Sequence, residues 1–337
     1  MEPYIVAEIG VNHNGNLEKA IDLIDEAKSC GCNGVKFQSF KAERLVDPST
    51  PKVEYQLRSG SKKESHFEMI KKLEFNGDKL STALEYAEKL CIDFITTPYD
   101  VQSMQEAYQI GVRKFKTASA DLCDIYLHKA LSQLSNVEII IATGMSTFEK
   151  IKSTLSFYEE SKIDPIILHC VSDYPCSDAS LNLSTFDIFK SNFKKNRIGF
   201  SDHSVGITAA IVASSIGYDY FERHFTLDKN DDGPDHFASS DVKEMKQYIK
   251  EIKRVNKILG VKEKKLQKEE LNMSNRSKKG IKSLRKLYKG EIISLENTYA
   301  LRPAENGISI DNLLEIIGKK VKHDIASDQF IQFQDLI

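Results

Sequence analysis

Residues 197–203 and 220–226 have the sequences RIGFSDH and YFERHFT, two short apolar runs that each end in an acid and a histidine. Runs of this length, rich in β-branched and aromatic residues, are typical of buried strands. If the two strands lie side by side, His203 and His224 can face one point and share a metal ion. The fold must therefore bring these two strand ends together.

Six further runs of the same kind precede this pair. They are YIVAEIG (4–10), GVKFQSF (34–40), DFITTPY (93–99), KFKTAS (114–119), EIIIATG (138–144) and PIILHCV (165–171). Helical patterns such as LEKAIDLIDEAKSCG (17–31) separate most of them. Eight strands alternating with helices predict an α/β protein, a (β/α)8 TIM barrel closed by the helical pattern at 241–260. An open doubly wound sheet is the alternative, but AEIGVNHNG (7–15) lacks the GxGxxG turn of dinucleotide-binding proteins.

Each run begins apolar and becomes polar toward its C-terminal end. The polar residues are Glu8, Lys36, Gln38, Thr96, Thr97, Lys116, Ser119, Thr143, His169, Ser201, Asp202, His203, Glu222 and His224. In a parallel barrel these ends meet at one mouth, where TIM-barrel enzymes have their active sites. A purely structural barrel would have no reason to desolvate so many charged groups. The asymmetry therefore predicts an enzyme.

The composition of the sequence changes after Gly260. We expect a barrel domain over residues 1–260, a charged, apolar-poor linker over 261–280 and a small domain over 281–337. The last segment mixes short strands, turns and one short helix near DNLLEIIG (311–318). At about 57 residues it is marginal as an independent unit, so we expect it to dock on another surface.

Composition excludes several classes of partner. The 337 residues carry a formal net charge of −2, which argues against nucleic acid or an anionic membrane surface as partner. No apolar stretch approaches the ~20 residues of a membrane span, and the first residues, MEPYIVAEIG, enter a strand without room for a signal sequence. The six cysteines lack CxxC spacing and favour the reduced thiols of a cytoplasmic protein.

His203 and His224 are the candidate metal ligands. Two neutral imidazoles with open positions suit a catalytic divalent ion such as Mn²⁺, whose coordination the substrate completes. The alternative is that each histidine merely hydrogen-bonds the neighbouring acid.

Lys36 and Lys116 predict an anion site at the same mouth. Together with the hydroxyls of Ser119 and Ser201, two ammonium groups suit a phosphate and a carboxylate. The alternative is a structural salt bridge between Lys36 and Glu8, which is reasonable for one lysine and less so for two.

Acidic residues supply the remaining chemistry. Glu8 and Glu222 are candidates for proton transfer or for supporting a metal ligand. The segment GPDH (233–236), after the eighth strand, places Asp235 and His236 over the mouth or forms an ordinary turn.

The motifs taken together resemble the bacterial sialic acid synthase family. They are VAEIGVNHNG (6–15), VKFQSFKAERLV (35–46), PKVEYQ (51–56), TTPYD (96–100), ATGMST (142–147), LHCVSDYP (168–175), GFSDHS (199–204), ERHFTLDK (222–229), GPDHFAS (233–239) and RPAENGIS (302–309). The resemblance implies a transferase that condenses phosphoenolpyruvate with an N-acylated amino sugar to give a nonulosonic acid and phosphate. It also implies a C-terminal antifreeze-like (SAF) domain that caps the partner's barrel in a domain-swapped homodimer.

The resemblance also assigns roles by position. His203 and His224 would bind Mn²⁺ or Mg²⁺. Phosphoenolpyruvate is assigned to Lys36, Lys116 and Ser119, with Ser201 nearby, and Thr97 of TTPYD is a further substrate-binding residue. The amino sugar is assigned to Gln38, Tyr174 and Asp235, with Arg302 of the SAF domain at its N-acyl group. Glu8 and Glu222 would flank the reacting carbons.

Four departures from the family pattern bear on the substrates. Asp121 stands where SGE has a glutamate, Ala142 replaces the serine of STGM, Ser172 replaces a frequent asparagine, and RPAENG (302–307) lengthens the RPGxG loop. The acceptor is therefore open between N-acetylmannosamine and a 2,4-diacetamido-trideoxyhexose that gives legionaminate. The alternatives are a pseudaminate-type synthase, a non-catalytic sugar- or ice-binding protein, and a Schiff-base aldolase that uses Lys116.

Overall fold

In the computed structural model, which describes residues 2–52 and 64–337, the apolar runs form eight parallel strands that close into a barrel. The strands are β1 (Tyr4–Gly10), β2 (Gly34–Ser39), β3 (Asp93–Pro98), β4 (Lys114–Thr117), β5 (Glu138–Ala142), β6 (Ile166–Cys170), β7 (Ile198–Asp202) and β8 (Tyr220–His224). Each strand pairs with the next, and β8 closes the ring on β1. The predicted TIM barrel is confirmed, and the open sheet is wrong. Residues 53–56 of the PKVEYQ motif lie outside the described residues.

Helices follow the strands of the barrel along the chain. They are α1 (Leu17–Cys30), α2 (Ala42–Leu45), α3 (His66–Lys72), α4 (Asp78–Lys89), α5 (Val101–Gln109), α6 (Ile125–Leu131), α7 (Phe148–Leu155), α8 (Thr185–Asn192), α9 (Thr208–Ile216) and α10 (Val242–Leu259). In α1, the Asn16 side chain accepts a hydrogen bond from the backbone N–H of Lys19, and Gly31 ends the helix in the left-handed conformation. No helix in the described ranges is both long enough and apolar enough to cross a bilayer.

Side chains inside the barrel form an apolar layer beneath a polar one. The apolar layer consists of Val6, Ile95, Ile140, Ile166, Leu168 and Tyr220. Alternate residues of a strand face the same side, so the inward residue after Val6 is Glu8, and the one after Tyr220 is Glu222. The polar C-terminal ends of the strands, which the sequence predicted, therefore lie above this apolar layer and share one mouth.

Gly10 makes room for two polar side chains at that mouth. The β1–β2 register shifts between Glu8 and Gly10, and Gly10 has φ +55°. A Cβ at this position would lie 3.1 Å from Glu8 Oε1 and 3.2 Å from Gln38 Nε2. Glycine is thus suited to this position both by its backbone conformation and by the space it leaves for Glu8 and Gln38.

The second compact unit spans residues 261–337 and has its own small core. It contains α11 (Leu271–Ser277), β9 (Gly280–Ser283), β10 (Thr298–Leu301) and α12 (Leu313–Ile316). β9 and β10 form an antiparallel pair. The buried core residues are Ile281, Leu287, Ile293, Ile308, Ile316, Val321, Ile325 and Ile331. The helix α11 lies within the segment that the sequence assigned to a linker.

We expect Ile140→Ala to lower the free energy of unfolding by about 2–5 kcal/mol, because it removes a fully buried side chain from the apolar layer and leaves a cavity. The matched control is Ile258→Ala, since Ile258 is 70% exposed on α10 and its truncation should cost less than about 0.5 kcal/mol. Urea unfolding of both variants measures the difference, and equal losses would show that the layer does not support the barrel.

Candidate active site

A cavity of about 640 Å³ opens at the C-terminal mouth of the barrel. Its walls include every residue of the barrel that the sequence assigned to the site. These are Glu8, Lys36, Gln38, Thr97, Lys116, Ser119, Tyr174, Ser201, His203, Glu222, His224 and Asp235. The fold therefore gathers in one place residues that lie more than 200 positions apart in the chain.

Two lysines and two glutamates form a buried charge cluster at the floor of this cavity. Lys36 Nζ lies 2.6 Å from Glu8 Oε2 and 3.8 Å from Glu222 Oε2. Lys116 Nζ lies 2.6 Å from Glu222 Oε1. The predicted alternative of a Lys36–Glu8 salt bridge is thus present, but a second lysine is paired in the same way. Opposite charges alternate, which offsets the cost of removing all four groups from water.

The cluster separates the proton affinities of its two carboxyl groups. Burial raises the pKa of Glu8, and the charge of Lys36 only partly opposes this effect. Burial acts in the same direction on Glu222, but the charges of Lys116 and Lys36 prevail and lower its pKa to about 2. Glu222 therefore stays ionised and holds its neighbours, while Glu8 is the better candidate for carrying a proton.

The two lysines differ in the same way. Burial lowers the pKa of Lys36. For Lys116, burial also opposes the charged form, but Glu222 and Glu8 outweigh it and raise the pKa. Lys116 is therefore firmly a cation, a state that suits an anion ligand and does not suit the neutral amine of a Schiff-base lysine.

Three of the predicted substrate-binding side chains also fix the cluster. Thr97 Oγ1 accepts a hydrogen bond from Lys36 Nζ at 3.2 Å, and Gln38 Nε2 donates to Glu8 Oε1 at 3.2 Å. The hydroxyl of Ser201 donates to Glu222 Oε1 at 3.0 Å. These bonds satisfy further lone pairs and protons of the charged groups, as a buried ion-pair network requires.

The two histidines lie together beside the cluster. Their ring centroids are 5.7 Å apart, and the ring of Tyr174 lies 4.2 Å from that of His203. His203 Nδ1 is 2.7 Å from the carbonyl oxygen of Val171, to which it donates. The lone pair of this imidazole is therefore on Nε2, which lies 3.4 Å from the hydroxyl oxygen of Ser201.

Burial keeps both imidazoles neutral. It lowers the pKa of His203 to about 4, and it lowers that of His224 as well, with a further contribution from His203. The acid beside His203 in sequence does not bind it, because Asp202 is paired with Arg223 at 2.8 Å. The alternative in which each histidine bonds its neighbouring acid is therefore wrong for His203.

The loop after β8 brings one acid to the site and turns its histidine away. Asp235 Oδ2 lies 3.8 Å from His224 Nδ1, and burial, with the charge of Glu8, raises the pKa of Asp235 to about 7. His236 is fully buried and bonds Thr226 Oγ1 at 2.7 Å, so it does not face the cavity. Of the two residues predicted to lie over the mouth, Asp235 lines the cavity and His236 does not.

The donor atoms in this region suit a loosely held divalent cation. Both imidazoles are neutral, and within residues 2–52 and 64–337 the Nδ1 atom of His224 has no hydrogen-bond partner. No three His, Cys, Asp or Glu side chains in the described part of the chain form a complete ligand set. The residues therefore fit a cation that takes its remaining ligands from substrate and water.

The structure shows the surroundings of two departures from the family pattern, Asp121 and Ala142. Burial, and then the charge of Asp124, raise the pKa of Asp121 to about 6, and its Oδ2 atom has no partner among the described residues. Ala142 is buried at the end of β5, on the same face of the strand as Ile140. A serine at Ala142 would point toward the barrel mouth, and this chain lacks that hydroxyl.

Arg302 belongs to the second compact unit, where its side chain is exposed after β10. Its predicted contact with an acceptor stays a prediction.

Several wall residues were not predicted from the sequence. Cys170 and Ser172 line the cavity, as does an apolar group on the opposite wall. That group consists of Val11, Phe40, Leu45, Ile70, Leu73 and Tyr99. The period of two would have found Cys170, the inward residue after Leu168, whereas the apolar group comes from loops and from the short helices α2 and α3, and its members share no common period. All six cysteines are free.

The order of the two domains along the chain agrees with known proteins. The model of the NeuB family matches residues 23–264, and that of the SAF domain matches residues 279–337. The chain belongs to the NeuB family. It is 35% identical to the N,N'-diacetyllegionaminic acid synthase of Campylobacter jejuni, over 97% of this chain and 98% of that protein. The enzyme of the same name from Legionella pneumophila is 34% identical, over 97% and 92% of the two chains.

A solved structure agrees with this assignment. The N-acetylneuraminic acid (sialic acid) synthetase of Leptospira borgpetersenii, crystallised with citrate, superposes with a TM-score of 0.71 at 33% identity. The match covers 81% of this chain and 90% of that one. NeuB-family membership therefore rests on both the sequence and the fold.

We expect Glu222→Gln to lower the free energy of unfolding by about 3–5 kcal/mol at pH 7, because it leaves buried Lys116 without its counter-charge. The pKa of Glu222 is lowered on folding from 4.5 to about 2, so its stabilisation is complete above pH 4.5 and is lost as the pH falls toward 2. Urea unfolding at several pH values measures the difference between variant and wild type.

The control for this variant is Glu43→Gln, which removes a similarly short but exposed pair with Lys71, 2.7 Å apart. Solvent screens that pair, and its loss should change little. Equal effects of the two substitutions would contradict the role of the buried cluster.

Proposed function

We propose that this NeuB-family protein is a transferase that condenses phosphoenolpyruvate with an N-acylated amino sugar to give a nonulosonic acid and inorganic phosphate. The supporting observation is the conjunction of two glutamate-held lysines and two neutral imidazoles in one cavity. The names of its relatives support the same class of product. We place this activity in the cytoplasm, in keeping with the free thiols.

Lys36 and Lys116 bind the anionic donor in this proposal. Each ammonium group has three protons, and the glutamates use only part of that capacity. A phosphate and a carboxylate can therefore bind to the lysines without dismantling the ion pairs. Thr97 and Ser201 hold the cluster rigid, so that much of the rate acceleration comes from positioning the donor against the acceptor.

His203 and His224 hold the divalent cation, Mn²⁺ or Mg²⁺. When bound, the ion supplies Lewis-acid polarisation of the open-chain aldehyde oxygen. The neutral state of both imidazoles leaves their lone pairs available at pH 7.

Glu8 transfers the protons that the reaction needs. The methylene carbon of phosphoenolpyruvate attacks the aldehyde carbon of the acceptor, and the aldehyde oxygen gains a proton. Water adds to the enol-phosphate carbon and loses a proton, after which the C–O bond to phosphate breaks. One carboxyl group can give the first proton and take the second, and the raised pKa of Glu8 suits that exchange.

Gln38, Tyr174 and Asp235 contact the acceptor sugar in this proposal. The apolar wall opposite favours an acceptor that presents methyl groups, which the 2,4-diacetamido-trideoxyhexose does at C6 and on two acetyl groups. The legionaminic acid synthases among the relatives support the same acceptor. N-acetylmannosamine is the second candidate, since the solved structure is named for a sialic acid synthetase.

Arg302 is proposed to reach the N-acyl group of the acceptor within a domain-swapped homodimer. The support for a partner subunit is the small core of the SAF domain, which is marginal for a unit that has to stand alone. Sedimentation of the full chain, together with the acceptor KM of Arg302→Ala, tests this assignment.

A screen of acceptors with phosphoenolpyruvate and Mn²⁺ tests the function. We expect phosphate release with the 2,4-diacetamido-trideoxyhexose, weaker release with N-acetylmannosamine, and a product whose mass equals acceptor plus phosphoenolpyruvate plus water minus phosphoric acid. The pseudaminate precursor belongs in the same screen. If no acceptor gives phosphate release, the synthase is refuted and a sugar-binding barrel is left. Borohydride trapping of Lys116 without metal would indicate an aldolase.

We expect His203→Ala to abolish saturable Mn²⁺ binding in calorimetry, because one imidazole cannot hold the ion. The control His323→Ala removes an exposed histidine of the second unit and should bind Mn²⁺ as the wild type does. Unchanged Mn²⁺ binding by His203→Ala would place the metal elsewhere.

A further inference from the structure

Arg223 and Asp202 form a buried ion pair between the two strands that carry the histidines. Arg223 Nη1 donates to Asp202 Oδ2 at 2.8 Å. Only 8% of Arg223 and 2% of Asp202 is exposed to solvent. Replacing such a buried pair by apolar residues of similar volume is often neutral or even stabilising. Stability alone therefore does not account for the pair, and its position in the barrel indicates another role.

The pair lies on the outer face of the barrel wall and matches the register of β7 and β8. Asp202 is opposite Arg223 in this register, and Ser201 is opposite Glu222. Ser201 and Glu222 line the cavity, so the alternation of side chains directs the ion pair to the other face, where Arg223 lies 5.0 Å from the ring centroid of Tyr248 on α10. A slip of one residue would reverse every side chain of a strand, and an ion pair between directly opposite residues resists that slip.

Further hydrogen bonds of Arg223 extend beyond the ends of both strands. Its Nη2 donates to the carbonyl oxygen of Ser204 at 3.1 Å, and its Nε donates to Ser240 Oγ at 2.6 Å. The backbone N–H of Ser240 donates in turn to the carbonyl oxygen of His224 at 2.8 Å. The guanidinium group therefore holds both residues that flank the histidine of β7 and, through Ser240, the backbone of the histidine of β8.

We propose that Arg223 is a positioning residue for the divalent cation, because with Asp202 it sets the separation of His203 and His224. This inference rests on the proposed function, which assigns the ion to these histidines, and deepens it by naming the group that holds them in place. A planar guanidinium bonds several acceptors in a fixed geometry, whereas an ammonium group is a single point of charge. An ion with only two protein ligands depends strongly on how each ring is oriented.

Titration of Mn²⁺ into the protein without substrates, followed by the electron paramagnetic resonance signal of the free ion, tests this role. We expect Arg223→Lys, which keeps the charge and loses the fork of donors, to raise the Mn²⁺ dissociation constant about tenfold or more, as when groups that orient metal ligands are removed. Ser240→Ala keeps the ion pair and removes one hydrogen bond, so it should raise the constant about threefold.

Steady-state assays separate metal affinity from a general loss of structure. Arg223→Lys should need about tenfold more Mn²⁺ for its half-maximal rate, since its defect lies in holding the ion. At saturating Mn²⁺ its kcat should return to within about threefold of the wild-type value. A kcat that stays low at every Mn²⁺ concentration would contradict a role that acts through the metal.

The matched control is Arg197→Lys, at the opposite end of the same two strands. Arg197 and Asp219 immediately precede β7 and β8, and Arg197 Nε lies 2.8 Å from Asp219 Oδ1. This substitution also weakens an Arg–Asp link between β7 and β8, and it should lower the urea midpoint of unfolding. Its Mn²⁺ dissociation constant should stay within about twofold of the wild-type value, because the histidines lie at the other end of the barrel.

The outcomes distinguish the inference from the function beneath it. If Arg223→Lys and Ser240→Ala bind Mn²⁺ as the wild type does, or if Arg197→Lys weakens binding as much as Arg223→Lys, the role of Arg223 is overturned while the synthase stands. If Arg223→Lys does not fold, Ser240→Ala decides alone. If the variants behave as expected but no acceptor is converted, the function fails and the role of Arg223 stands. A wild type without saturable Mn²⁺ binding overturns both.

Discussion

The buried alternation of Glu8, Lys36, Glu222 and Lys116 is the constraint on which the rest of the site depends. Four charges can be removed from water only if opposite charges lie within contact distance and the remaining donors and acceptors are satisfied. The barrel meets this requirement because inward residues of β1, β2, β4 and β8 all reach the same cavity. The cluster in turn sets the proton affinity of each carboxyl group and leaves lysine protons available to an anion.

A second consequence of the barrel is the neutral histidine pair. The imidazoles lie beside two ammonium groups in a desolvated region, and both effects oppose a charged ring. Loop contacts then complete the mouth. Asn12 Nδ2 donates to the carbonyl oxygen of Phe225 and to Ser239 Oγ, both at 2.9 Å, and this links the loop after β1 to the segment that carries Asp235. The strands position the charged residues, and loops position Tyr174 and Asp235, two of the side chains assigned to the acceptor.

The strands were predictable, and so were the site residues they carry. A run such as YIVAEIG combines strand propensity with a polar residue at its end, so Glu8 could be placed at the mouth before any coordinates. Ser172 and the apolar wall with Phe40 and Leu73 could not be placed in this way. They lie on loops or in satellite packing, where no period relates sequence spacing to direction, and their positions follow from contacts with distant segments.

The sequence by itself determined the eight strands, the side chains that face the barrel interior and the residue types at the mouth, because local propensity and a period of two require no knowledge of distant partners. Only the tertiary structure decided in which direction the pKa of each acid moves. Glu8 and Glu222 are the same residue type near the ends of two strands, yet Lys116, 106 positions before Glu222, lowers the pKa of Glu222 while burial raises the pKa of Glu8. Charge interactions depend on distance in space and on exclusion of water, and neither quantity can be read from the order of residues in the chain.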